Sequence, residues 1–345
     1  MDKPRDKMYR RKDSLTKISK NGPDSGRKDV PRPRNRSVFT NSHVGDDFPP
    51  RDVIKYEGLH QWAPYVPKPI TVKNYYADDL AGEVYGEDHY GGGTTITPHG
   101  VISLRLHDRI RVDISLERAI RIVNLKNSII LALNASGSSS ALLHPNGRVF
   151  QYGSRVEILA HDSQGNNKYA KMWYKGVSFT SDQCALVYLV DSAGTRTTTD
   201  TFSDLSSDFT LGVFLDETPY MDASGMAHGS QLVNEAVGIL QAASYWVTDD
   251  GTDNWIINNI RISQTSDGLV RVGRNSNKFS LRTSPTNGSA SVSSPYMHCT
   301  GSMGQTRHLF VRRGERRMHY DGSTFIVRNA GHSAGFDDKH QLKVY

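Results

Sequence analysis

The chain has 345 residues, of which 37% are hydrophobic and 23% charged, and its formal net charge at pH 7 is +6. This composition is typical of a globular protein with enough apolar material for a buried core. No apolar run approaches the ~20 residues that a membrane helix needs, and no apolar segment follows the first residues as in a secretory signal. The sequence therefore predicts a cytoplasmic protein with no membrane partner.

The positive charge is concentrated at the N-terminus. Residues 1–36 carry thirteen Lys and Arg against five Asp, a net charge of +8 that leaves −2 for residues 37–345. A segment so charged and proline-rich cannot bury enough apolar surface to offset the entropy lost on ordering, which predicts a disordered basic tail. Such a tail either binds a polyanion in a salt-dependent way or is merely solvated. The candidate binding residues are Arg10, Arg11, Lys12, Lys17, Lys20, Arg27, Lys28, Arg32, Arg34 and Arg36.

Residues 37–91 alternate aromatic side chains with proline. This pattern is typical of an extended arm that lies across a surface, either of its own body or of a partner. Packing on its own body is favoured, because exposed aromatic residues carry a risk of aggregation. The predicted anchors of the arm are Phe48, Tyr56, Trp62 and Tyr65.

Residues 92–345 are predicted to form a mainly β body, after a flexible Gly91–Gly93 hinge. Apolar residues alternate with polar ones over 102–106 and again over 110–116, which predicts a hairpin with one buried and one solvated face. Further strands are expected at 128–133, 139–143, 148–151, 155–160, 169–174, 185–190, 196–202, 255–262, 269–272, 279–282, 307–312 and 324–328. We expect an antiparallel, hairpin-rich sandwich or a barrel-like body.

One short helix is predicted over 231–245, where apolar residues recur at helical spacing, after a loop over 216–230. This helix and loop divide the body into two candidate subdomains, about 92–215 and 246–345. The boundary between them would coincide with the only interruption in the β pattern.

Short turns that end in Asn-Gly, Asp-Gly or His-Gly recur before strands, as at 97–102, 144–150 and 319–325. Asn-Gly and Asp-Gly supply the positive φ values of tight hairpins, so the recurrence indicates many hairpins. The stretch Leu-Ala-Leu-Asn-Ala-Ser-Gly-Ser-Ser-Ser-Ala-Leu-Leu-His-Pro-Asn-Gly-Arg-Val-Phe, residues 131–150, resembles the β-rich domain of the glutamate-rich sperm and ciliary proteins. A similar module occurs in a large central-apparatus protein of the axoneme. The resemblance covers about residues 95–205 and implies a β-rich fold and an axonemal location, but no site residues.

Reactive side chains form no recognisable catalytic or metal pattern. The densest histidine group, His298, His308 and His319 with Cys299, has intervals that match no compact zinc site. The acidic residues Asp222, Asp249 and Asp250 lie in turn-like sequence, where they serve as caps more often than as catalysts. The two cysteines, Cys184 and Cys299, are read as unpaired thiols. The sequence predicts no enzyme, no metal and no cofactor.

We therefore expect a non-catalytic structural component of a ciliary or flagellar (sperm) axoneme or another microtubule-associated part of the cytoskeleton. Its partners would be proteins, tubulin among them, held by the tail and the arm. The alternative is a viral capsid or nucleic-acid-packaging protein whose tail binds RNA or DNA. The body itself is not expected to carry the strand aromatics and basic groove of a single-strand binding platform.

Overall fold

The computed structural model describes residues 71–72, 93–216 and 226–345 of the chain, and the side chains of all of these except 71–72 and 226–229. The predicted basic tail lies outside the described residues. So does the predicted arm with its four anchors, apart from the short strand Thr71–Val72.

The first half of the described chain forms one sheet of thirteen strands in sequence order. All neighbouring strands are antiparallel except the first two, which pair in parallel. The strands, β1 to β13, are Thr71–Val72, Thr94–Ile96, Ile102–Leu106, Ile110–Ile114, Ile120–Asn124, Ile129–Leu133, Ser139–His144, Gly147–Tyr152, Arg155–Ala160, Lys168–Trp173, Gly176–Ser181, Val187–Asp191 and Gly194–Thr198.

The second half repeats this plan with twelve antiparallel strands, again in sequence order. The strands, β14 to β25, are Ser244–Val247, Asp253–Ile257, Ile260–Gln264, Val270–Arg274, Phe279–Ser284, Ser289–Ser293, His298–Ser302, His308–Arg313, Arg316–Tyr320, Phe325–Asn329, His332–Phe336 and Leu342–Val344. Two helices, α1 (Thr210–Leu215) and α2 (Met226–Gln241), lie between the sheets in sequence. The predicted mainly β, antiparallel and hairpin-rich fold is confirmed.

Tight turns keep each strand beside the next. Asn258 and Asn259 have φ values of 51° and 58° between β15 and β16, the left-handed pair that a two-residue hairpin requires. The predicted Asn146-Gly147 turn joins β7 to β8, and Gly147 has a φ of 150°. A Cβ atom there would lie 2.2 Å from the Leu159 carbonyl oxygen, so only glycine fits.

The two sheets pack face to face as a sandwich with one apolar core. Inward-facing residues of both sheets, such as Ile122 and Leu131 of the first and Val272 and Leu281 of the second, belong to a single buried cluster. Each strand buries one side because its side chains alternate between the two faces.

Hydrogen bonds between the sheets show that the strand orders run in the same direction. Asn258 donates to the Ser115 carbonyl near the start of both sheets, at 3.2 Å. Asn124 donates to the Thr283 hydroxyl at 2.9 Å further along, and Asn329 donates to the Val190 carbonyl at 3.3 Å near the end. The chain must therefore return from the end of the first sheet before it begins the second.

Residues 199–216, here called the return segment, run back across the outer face of the first sheet. The Lys171 side chain donates to the Thr201 carbonyl, and the Ser203 amide donates to Glu157 at 2.7 Å. Further along, Arg148 donates to three successive carbonyls, those of residues 205–207. The segment thereby covers this face and satisfies its polar groups.

Several details of the sequence prediction are wrong. The stretch 255–262, predicted as one strand, forms the hairpin of β15 and β16. The polar face of the 102–116 hairpin, predicted to be solvated, is buried at Ser103, Arg111 and Asp113.

The described residues form two α-helices and not one, because the return segment ends in α1, which packs Val213 on Ala132 and Ala141. The second helix spans Met226–Gln241, so it begins within the predicted loop. The end of the predicted helix is instead strand β14, in which Tyr245 pairs with Trp255.

Candidate polyanion-docking face

The outer face of the second sheet presents two rows of polar residues that cross its strands. Alternation along each strand sends its apolar residues into the core and every second residue outward. Antiparallel register then aligns the outward residues of neighbouring strands. One row runs through Arg312, Arg317 and Arg328 on β21, β22 and β23. The next row contains Phe310, His319 and Ile326 on the same strands.

Six arginines point outward from this face, and we call it the arginine face. They are Arg261, Arg271, Arg282, Arg312, Arg317 and Arg328, all exposed. The outward positions of β15 to β24 hold no Asp or Glu. This face is therefore strongly basic, although residues 37–345 together are nearly neutral.

The arginines of the central row lie directly opposite one another. Arg312 pairs in register with Arg317, and Arg317 with Arg328. Like charges at directly opposite positions destabilise a sheet. Within the described residues none of these three arginines forms an ion pair with a carboxylate, and Arg312 instead donates to the Gly314 carbonyl at 3.3 Å. The row is thus an electrostatic cost that an anionic partner would relieve.

A shallow depression of about 220 Å³ lies between the two rows. It is lined by Phe310, Arg317, His319, Ile326 and Arg328. Phe310 and Ile326 are half-buried, so the floor of the depression is apolar while cationic groups rim it. Such a floor suits one hydrophobic side chain flanked by negative charges.

A histidine extends the face toward β20. His298 lies opposite Arg312 in register, and its ring lies 6.4 Å from that of Phe310. Burial, and next the Arg312 guanidinium, lower the pKa of His298 below its usual value. This ring is therefore harder to protonate than a free histidine, and the permanent positive charge of the face comes from the arginines.

Asp250, Cys299 and His308, which the sequence analysis considered for catalysis or metal binding, are buried or hydrogen-bonded within the protein. Asp250 accepts hydrogen bonds from the Thr248 hydroxyl at 2.6 Å and the Thr252 amide at 3.1 Å, as a turn residue does. Cys299 is buried in the core, where burial raises the pKa of its thiol to about 12. His308 donates or accepts at the Thr300 hydroxyl, 3.1 Å away.

The residues predicted from the sequence to bind a partner are not among the described residues. The ten tail residues and the four arm anchors lie outside the described residues, as does Asp222. Across residues 93–216 and 230–345, no group of three or more His, Cys, Asp and Glu is placed to hold a metal ion. The described helices are all too short or too polar to span a membrane.

Sequence reasoning missed the arginine face and expected no basic surface on the body. The net charge of −2 for residues 37–345 averages this face with the acidic residues of the predicted arm, of turns and of the first sheet. The signal was nevertheless present, because Arg alternates with apolar residues in 270–274, 279–284 and 325–329 without any acid. Assigning the outward positions of consecutive hairpins would have revealed the rows.

Comparison with known proteins gives a family and remote structural matches, and no curated protein matches the chain. The solved TCP10 domain of Danio rerio CPAP, in complex with a peptide of Danio rerio STIL, is 8% identical, covers 71% of this chain and 98% of its own, and has a TM-score of 0.24. A CPAP G-box domain, whose structure was described as suggesting a role in centriole elongation, is also 8% identical, covers 74% and 98%, and has a TM-score of 0.17. Scores this low carry no argument here.

The family match is of a different kind, because it spans most of the described chain. A family model described as a domain of unknown function, DUF8796, matches residues 94–342. These limits begin at β2 and end at the start of β25, so they enclose β2 to β24 and the return segment. The chain belongs to the DUF8796 family.

Proposed function

We propose that this protein is a non-catalytic structural component of a larger cytoskeletal assembly, in which the arginine face docks on an acidic neighbouring surface. The finer form of the proposal places it on microtubules, in the axoneme of a cilium or flagellum. Tubulin would then be the protein partner.

The exposed, acid-free arginine row carries this proposal. Arg312, Arg317 and Arg328 repel one another in the free protein, and the fold tolerates that repulsion in a row that contributes nothing to the core. A row of outward guanidinium groups attracts an acidic surface and pairs with carboxylates in bidentate geometry. A microtubule offers an acidic surface of this kind.

The structural roles of the reactive groups favour a scaffold over an enzyme. His144, for example, lies between the sheets and contacts the Gly288 carbonyl oxygen at 2.8 Å. Lys168 is buried and contacts Asp162 at 2.6 Å. His144 thus links the two sheets and Lys168 pairs within the first, so both groups form hydrogen bonds inside the protein.

The axonemal location is supported by the sequence resemblance of residues 131–150 to the glutamate-rich sperm and ciliary proteins. A basic tail would add a second contact to the same acidic filament. Tail and face together would bind more tightly than either alone, since the second contact forms at high effective concentration.

Co-sedimentation of the full-length protein with microtubules over a salt series tests the proposal. A variant with Arg312→Gln, Arg317→Gln and Arg328→Gln should bind at least tenfold more weakly, because the three strongest contacts of the face are lost. Binding of the unmodified protein should also weaken as salt rises.

The matched control removes the same charge elsewhere, by Lys175→Gln, Lys278→Gln and Lys339→Gln, three exposed turn lysines. The control should bind as the unmodified protein does. Equal loss in both variants would mean that only net charge matters. Binding to RNA but not to microtubules would contradict the proposal and favour nucleic-acid packaging.

A further inference from the structure

The geometry points to a specific ligand for the arginine face: an extended acidic polypeptide segment with a hydrophobic side chain two positions from an acidic one. This inference rests on the proposed function and deepens it, because it names the feature of the partner's sequence that the arginine face would recognise. It locates recognition at the central arginine row and the apolar depression beside it.

The spacing of the two rows matches an extended peptide. Arg312 and Phe310 are two residues apart on β21, as are Arg317 and His319 on β22. Outward residues two apart on a strand are separated by about 6.6 to 6.8 Å, which is also the separation of alternate residues in an extended ligand. An acidic residue above the arginine row therefore places its second neighbour above the depression.

The depression accepts one aliphatic side chain and little more. Its volume is about 220 Å³, and its apolar floor comes from Phe310 and Ile326. Filling it removes apolar surface of both partners from water. The guanidinium groups of Arg317 and Arg328, both in the arginine row at one rim, remain able to pair with carboxylates on that side of the aliphatic side chain.

A neighbouring open depression of about 680 Å³ extends the surface for a longer segment. It shares Phe310 and His319 with the smaller one and includes Arg307, with Asp321 at its far side. Arg307 donates to Asn146 at 2.9 Å and so holds a fixed position. A segment of several residues can therefore continue across the face, and the acid at Asp321 bounds the basic surface.

Single-stranded nucleic acid fits the same face less well. Binding of single strands without sequence preference uses several aromatic side chains as stacking platforms. The outward positions of β14 to β24 hold two such residues among Phe, Tyr and Trp. Phe310 is half-buried in the floor of the depression, and Trp246 lies on the first strand of the sheet, 5.9 Å from the Arg261 guanidinium and several strands from the central row. Carboxylates beside an aliphatic group use both rows, whereas phosphates would use only the arginines.

The test compares fluorescent nine-residue peptides binding to the full-length protein. One probe is all glutamate, a second has leucine at its centre, and a third is the leucine peptide with every glutamate replaced by glutamine. We expect the leucine peptide to bind about tenfold more tightly than the all-glutamate peptide, the order of magnitude for burying one such side chain. The glutamine peptide should not bind.

Two variants of the protein separate the contribution of the arginine row to peptide binding from that of the apolar depression. Arg317→Gln with Arg328→Gln should abolish binding of both acidic peptides, and Ile326→Ser should remove only the preference for leucine. Unchanged thermal unfolding temperatures would show that both variants fold. Equal affinity for both acidic peptides, or a preference that survives Ile326→Ser, would overturn the inference, as would tighter binding of oligouridylate.

These outcomes are separable from those of the proposed function. Microtubule binding that depends on the arginine row without any leucine preference would defeat the inference and leave the proposed function standing. A leucine preference in a protein that does not bind microtubules would support recognition of the acidic segment and contradict the microtubule assignment.

Discussion

The outer faces of the two sheets carry similar rows of outward polar residues but differ in what meets them. On the first sheet, Asp113 lies 3.1 Å from Arg111 and 3.7 Å from Arg121, and all three side chains are buried. On the second sheet, Arg317 and Arg328 are exposed beside each other without an acidic neighbour at the outward positions. The return segment covers the first face only.

The difference shows that the same alternation of apolar and polar residues can give either a buried face with paired charges or an exposed face with hydrated charges. Charges under the return segment are paired or hydrogen-bonded because burial makes an unpaired charge expensive. Charges on the arginine face remain hydrated, so the fold does not require partners for them. Substitutions should therefore affect stability on the covered face and binding on the open one.

The largest expected effect on stability is at Asp113. Asp113→Ala removes the carboxylate that faces two buried guanidinium groups and that accepts from the Ser103 hydroxyl at 2.6 Å. We expect the free energy of unfolding to fall by about 3 kcal/mol. Urea denaturation measures it, with Asp113→Asn as the variant that keeps a hydrogen-bond acceptor for Ser103. A change within about 0.5 kcal/mol would place Asp113 among ordinary surface residues.

Lowering the pH should reduce the free energy of unfolding through His144, which lies between the two sheets. Burial lowers the pKa of His144 from 6.5 to about 4 in the folded protein, so the unfolded chain binds more protons between these values. Stability is therefore complete above pH 6.5 and declines as the pH falls towards 4, by up to about 3 kcal/mol. Urea denaturation at several pH values measures the slope, and His144→Gln should flatten it. An unchanged slope in that variant would assign the acid sensitivity to other groups.

Two arginines provide a matched pair across the comparison. Arg148→Ala removes the donors to three carbonyls of the return segment, and we expect a loss of about 2 kcal/mol in the free energy of unfolding. Proteolysis should then cleave the return segment faster, because fewer contacts hold it to the sheet.

The smallest expected effect on stability is at the other member of the pair. Arg328→Ala removes an exposed guanidinium opposite Arg317, so the free energy of unfolding should change by less than about 0.5 kcal/mol. Removing one of two opposed like charges could only favour the folded sheet. Chemical denaturation of both variants measures the two changes in the free energy of unfolding. Equal losses in Arg148→Ala and Arg328→Ala would contradict the distinction between a covered face and an open one.

The sequence predicted the fold class because hairpins are local and period-two alternation is strong. The runs at 102–106 and 110–116 have clear apolar and polar sides, and both became neighbouring strands. The return segment could not be predicted, since residues 199–209 show no periodicity and depend on distant partners such as Glu157. The start of α2 was missed because Gly229 and Ser230 resemble a loop.

The candidate site was harder to predict than the fold. Arg312 and Arg328 are sixteen residues apart, and only the register of two hairpins brings them into one row. Counting charge along the sequence located a basic tail, whereas the arginine face depends on which side of each strand a charge occupies. The tail residues remain predicted binding residues that the described structure does not test.

Arginine footprinting tests the central claim most directly. The full-length protein would be treated with phenylglyoxal, free and bound to microtubules, and the modification of each arginine measured by mass spectrometry. We predict that Arg312, Arg317 and Arg328 react in the free protein and are protected in the complex. Protection confined to tail arginines such as Arg10 and Arg11, with the arginine face reacting equally in both states, would contradict the account.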